Sequence, residues 1–149
     1  MYQKVLVPLD GSKVAEVILP HVRSVAEEGR KVEEVILLQV IETPPAWVME
    51  HDSFQESHEA QKKIAKKYLS KIQSQLNLGG VKVTSEVLVG KAAETIMDFA
   101  KQKKVDLILM TTNVSSGISQ LMIGSVANKV MRYSRLPVLM VRPPATTKC

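Results

Sequence analysis

Cysteine is all but missing. The single Cys149 is the last residue and has no partner in the chain, which excludes a disulfide framework and fits a reducing compartment. It reads as an exposed thiol on a tail. Aromatics are scarce as well: they make up 4% of the 149 residues, so the core has to be assembled from Val, Ile, Leu, Met and Ala. No apolar run approaches the ~20 residues of a membrane span. The opening Met1-Tyr2-Gln3-Lys4 passes into a strand-like segment without the form of a signal peptide. The expected location is cytoplasmic, with no membrane partner. His21, His51 and His58 are scattered without metal-ligand spacing. There is no Gly-x-Ser-x-Gly elbow and no P-loop. Catalytic residues and direct metal ligands are therefore assigned to no position.

What is present is a globular balance, 45% hydrophobic and 23% charged, enough for one domain over residues 1–143 with 144–149 as a disordered tail. The net charge is +5. Its densest cluster, Lys62, Lys63, Lys66, Lys67 and Lys71, takes the polar side of a helix whose other side carries Ile64, Tyr68, Ile72 and Leu76. No arginine or aromatic residue interleaves it as a base-reading surface would require, so it reads as a solvated face rather than a nucleic-acid site.

Val5-Leu6-Val7-Pro8-Leu9, closed by Asp10-Gly11-Ser12, is too short for a helix and reads as a buried strand. Ser12 looks like an N-cap, and Val14, Val17, Ile18, His21 and Val22 follow at helical spacing as far as Gly29. Pro20 must kink that helix unless the segment breaks there. Glu34 to Ile41 is a second buried strand. From Thr43 to about Ser57 a loop is expected, with Trp47 as a plug over the core and a lid over a bound base as the rival role. The lysine helix then runs to Asn77-Leu78-Gly79-Gly80. Val81 to Val89 alternates in part, as a strand with one wetter face would. Ala93, Ile96, Met97 and Ala100 mark a third helix and Val105 to Met110 a fourth strand. A polar loop from Thr111 to Ser116 leads through Gly124-Ser125 to a helix with Val126, Val130 and Met131, and Pro137 to Arg142 is the last strand. Strand and helix alternate throughout. That order predicts an α/β fold, one doubly wound domain with a five-stranded parallel sheet, helices on both faces and right-handed crossovers.

In such sheets ligands bind beyond the carboxyl ends of the strands, where the strand order reverses. The small and polar residues gather there: Asp10-Gly11-Ser12 after the first strand and Thr111 to Gly117 after the fourth. Gly124-Ser125 opens a helix whose free amides and positive dipole end suit a phosphate. This describes an anion or nucleotide crevice. Asp10 reads both as a turn former and as a ligand residue.

Taken in order, Val5 to Ser12, Leu37 to Glu42, Gly90 to Ile96, Ser116 to Ala127 and Pro137 to Arg142 resemble the universal stress protein family over nearly the whole chain. The resemblance implies a Rossmann-like sheet of order 3-2-1-4-5. It also implies a stress-response or regulatory protein acting by binding, with ATP or another adenine nucleotide as cofactor and Mg²⁺ or Mn²⁺ only through that nucleotide. The family's ATP binders carry Gly-x2-Gly-x9-Gly-(Ser/Thr), whose positions fall here on Thr111, Val114, Gly124 and Ser125. Thr111 and Val114 are β-branched residues that resist a positive φ. By resemblance Pro8, Leu9, Val40 and Met110 surround the base, Asp10 lies near the ribose and any metal, Thr111 stands in the site at the first glycine position, and Gly124, Ser125, Val126 and Ala127 receive phosphate. The implied partners are a second copy, paired through Val138, Leu139, Met140 and Val141, and a further protein that reads the ligand state. The alternatives are a dimeric interaction module that no longer binds ATP, and a weak ATP hydrolase.

Overall fold

The longest apolar runs of the sequence become the middle of a sheet. The computed structural model describes residues 2–13, 15–29, 32–42, 46–49, 54–112 and 123–143. In chain order these carry β1 (Lys4–Leu9), a 3-10 turn (Ala15–Ile18), α1 (Leu19–Gly29), β2 (Glu34–Glu42), α2 (Ala46–Met49) and α3 (Phe54–Gln75). There follow β3 (Lys82–Gly90), α4 (Ala92–Gln102), β4 (Leu107–Thr111), α5 (Ser125–Tyr133) and β5 (Val138–Val141). All pairings are parallel and the order is β3-β2-β1-β4-β5, as expected. Val5 to Leu9, Val35 to Leu38 and Leu107 to Thr111 are buried, which is why these strands read as unbroken apolar runs. β3, at the edge, is only half-buried. Right-handed crossovers put α1 and α3 on one face and α4 and α5 on the other. The Arg23 guanidinium accordingly donates to the Gln75 carbonyl at 3.2 Å, from α1 to the end of α3.

Several boundaries differ from the sequence expectation, each for a local reason. The helical run after β1 breaks: a 3-10 turn ends at Ile18, and Pro20 falls in the first turn of α1, where no intrahelical donor is needed. The loop expected over residues 43–57 holds the four-residue α2 and the start of α3. Trp47, on α2, is 66% exposed and plugs nothing. Ile64 is 69% exposed; the buried stripe of α3 is Ala65, Leu69, Ile72 and Leu76, with Tyr68 half-buried. Lys63, Lys66, Lys67 and Lys71 are solvated and Lys62 meets Glu59 at 3.6 Å. Thr111 belongs to β4 rather than to the loop after it.

β1 pairs with β2 from Lys4↔Glu34 through Leu9↔Gln39, and β4 with β5 from Ile108↔Val138 through Thr111↔Val141. Between β1 and β4 the bonded pairs are Val5↔Leu107 and Leu6↔Ile108; beyond them Pro8 has no N–H to give. The strand order reverses between these two strands, so the connections that leave their carboxyl ends run toward helices on opposite faces of the sheet.

Candidate functional site

The first side of this switch point is the turn after β1. The Asp10 carboxylate accepts the Ser12 amide at 2.8 Å, the short-range bond that makes aspartate a turn former. Gly11 sits at φ +85°, a conformation that favours glycine; a β-carbon there would lie 3.3 Å from the Gln39 amide nitrogen, the movable end of that side chain. Tyr68 reaches across from α3 and donates to the Ser12 carbonyl at 3.4 Å. Burial, then the Glu16 and Asp10 carboxylates, raise the Tyr68 phenol well above its ordinary pKa. Asp10 is thus a turn former in this structure, and it remains half-buried beside the switch point.

The second side is the start of α5. The Thr112 amide donates to the Val141 carbonyl at 3.1 Å, and the Gly124 amide donates to the Thr112 carbonyl at 2.6 Å. The chain thus leaves β4 and returns to α5 at one point. Gly124 is extended (φ −64°, ψ 161°), gives no side-chain cap, and no acidic residue occupies the first turn. The first intrahelical bond is Asn128 amide to Gly124 carbonyl at 2.9 Å. The amides of Ser125, Val126 and Ala127 precede it and point out of the helix start with its positive dipole end.

Between these sides the expected site residues divide into floor and rim. Pro8 and Gly124 are buried, Leu9 is 2% exposed and Met110 0%; Val126 and Ala127 are buried as well. Asp10 and Val40 are half-buried and Ser125 is exposed, so these three offer surface to a ligand. Thr111 is buried and extended; among the described residues Lys104 is the one non-glycine with positive φ. Threonine therefore costs no backbone strain at this family glycine position, although its buried hydroxyl has no hydrogen-bond partner among the described residues. Val114 lies outside the described residues.

Sequence reasoning missed Gln39, Tyr68 and Glu42. Gln39 interrupts the apolar run of β2 and lies beside Gly11, and its side-chain oxygen is buried without a hydrogen-bond partner among the described residues. The Glu42 carboxylate accepts the Ala92 amide at 3.1 Å and so caps α4 from the end of β2. The break in the run was the available signal for Gln39; the other two contacts leave none.

Among the described residues no three His, Cys, Asp or Glu side chains gather to hold a metal ion. A hollow of about 640 Å³ lies at the opposite end of the sheet, beside Lys101, Lys104, Tyr133, Arg135 and Leu136. Its cations stand where α4 and α5 end, a placement that offsets the negative ends of two helix dipoles.

The arrangement as a whole has known counterparts. The universal stress protein family model matches residues 1–142. This chain belongs to the universal stress protein family. Universal stress protein MJ0531 of Methanocaldococcus jannaschii is 32% identical over 145 residues, covering 97% of this chain and 84% of that protein. The solved structure of MJ0577, from the same archaeon, matches this universal stress protein with a TM-score of 0.85 at 32% identity, over 98% of this chain and 99% of that one. A family protein from Arabidopsis thaliana with AMP bound shares the fold at a TM-score of 0.68 and 16% identity, over 96% and 93% of the two chains. Among the described residues of this universal stress protein, no helix is long and apolar enough to cross a membrane.

Proposed function

We propose that this universal stress protein binds an adenine nucleotide beyond the carboxyl ends of β1 and β4, where the strand order reverses, and acts as a cytoplasmic regulator by binding rather than turnover. The observation that carries this reading is the uncapped, acid-free start of α5, with Ser125 exposed, next to the half-buried Asp10 turn. The α5 amides and the Ser125 hydroxyl receive the phosphate. Val40 lies beside the base above a floor of Pro8, Leu9, Met110 and Thr111, and Asp10 takes the ribose or a nucleotide-bound Mg²⁺ or Mn²⁺. The Arabidopsis relative with AMP supports an adenine nucleotide as the ligand class.

The open edge of β5 favours a second property, pairing with another copy of the chain. Leu139 is 41% exposed and Val138 and Met140 are half-buried on that edge. A dimeric interaction module without a ligand is the rival function, and a weak ATP hydrolase using metal at Asp10 is a more distant one. Calorimetric titration of the purified protein with AMP and with Mg-ATP separates them. Binding of either nucleotide, weakened in Asp10→Ala and without sustained phosphate release, is expected. No heat and no thermal shift with either ligand would leave the interaction module, and phosphate release lost in Asp10→Ala would leave the hydrolase.

A further inference from the structure

The hollow at the far end of the sheet carries more positive charge than the helix ends beside it require. Lys101 lies in the last turn of α4, where a cation offsets the helix dipole, and α5 has Arg132 in that place, outside the hollow. Lys104 and Arg135 also line the hollow, yet each follows the end of its helix, beyond the turn over which the dipole acts. Among the described residues of the lining Asp98 is the one carboxylate, so the net charge is positive. None of these four side chains forms an ion pair or a hydrogen bond among the described residues. The Ser134 hydroxyl accepts the Leu136 amide at 3.1 Å and the Ser134 amide donates to the Val130 carbonyl at 2.9 Å, a turn that carries Arg135. Lys104 holds φ 56°, so a cation stands where the backbone would favour glycine. Apolar surface lies between the charges: Val105 is buried, Met97 and Leu136 are half-buried, and Tyr133 is exposed. The volume, about 640 Å³, is that of a small-ligand site.

We propose that this hollow is a second ligand site, separate from the nucleotide crevice, and that it takes a small organic carboxylate with an apolar body. Like charges gathered in a concave site attract an anion from solution. The Arg135 guanidinium matches the planar carboxylate with its fork of donors, and Lys101 and Lys104 add charge beside it. Met97, Leu136 and Tyr133 cover the apolar body. The hollow shares no residue with the crevice, so the proposal stands or falls apart from the nucleotide reading.

The probe is 4-phenylbutyrate, with the uncharged 4-phenylbutyramide as control, each titrated into the full chain while every backbone amide is followed. The acid should bind with a Kd of about 1 mM and shift Lys101 to Val105 and Tyr133 to Leu136. The amide should bind about tenfold more weakly. Added salt should weaken the acid and leave the amide unchanged. Lys104→Gln and Arg135→Gln, both at exposed positions, should each weaken the acid about threefold. No shift in the hollow with the acid at about 20 mM would overturn the proposal, whether or not the variants fold. Equal binding of the amide, or unchanged affinity in both variants, would overturn it too. AMP shifts centred on the hollow would make it the nucleotide site and remove the second one.

Discussion

Asp10, Gly11 and Ser12 form a turn that two distant residues, Gln39 and Tyr68, approach, and the second contact is specific enough to test. Tyr68 contributes a hydrogen bond to the Ser12 carbonyl from 56 positions away. Its raised pKa sets the direction of a pH effect: the stabilisation is fully present below the unfolded value of 10.0 and is lost as pH rises beyond it. Tyr68→Phe should therefore melt below the parent at neutral pH, and the gap should narrow above pH 10.0. Thermal unfolding of both proteins across that range checks it; a gap independent of pH would contradict it. Asp10 and Gly11 were legible because turn residues announce themselves locally. Gln39 and Tyr68 were not, because a glutamine in a strand and a tyrosine on a helix stripe carry no record of which turn they reach. Thr111 was misjudged for a related reason: the motif marked the position as loop, while the strand holds it in an extended conformation that threonine favours.

Elements were most legible where burial is two-sided or periodic. β1, β2 and β4 appear as apolar runs because both faces are covered, and α4 keeps Ala92, Ala93, Ile96, Phe99 and Ala100 on one side. On the lysine helix Ile72 and Leu76 are buried as expected and Tyr68 half-buried, but Ile64 is exposed and Ala65 is buried in its place, because a large apolar side chain outweighs a small one in any pattern. α2 is too short to show a period. The end of α4 carries a residue that its geometry does not favour. Amides of Lys103, Lys104 and Val105 return to the carbonyls of Phe99, Lys101 and Ala100, a helix termination that places Lys104 at φ 56°. Lys104→Gly should relieve that conformation and raise stability by about 1 kcal/mol. Denaturant unfolding measures the change, and a loss of stability would show that the Lys104 side chain outweighs the backbone term.

For the whole molecule, alternation of strands and helices already required a parallel, doubly wound sheet, and resemblance supplied its order. The open β5 edge has a consequence for assembly. If the chain pairs through β5 as proposed, sedimentation should show a dimer for the parent and a monomer for Leu139→Lys, which places a charge on that edge; a monomeric parent or an unchanged distribution would remove β5 as the interface. The placement of the ligand is the central claim, and a spectrum that resolves every backbone amide during titration with AMP tests it most directly. The account predicts shifts concentrated at Asp10 to Ser12, Val40 and Gly124 to Ala127. No shifts, or shifts centred on the hollow by Lys101, Tyr133 and Arg135 at the other end of the sheet, would contradict it.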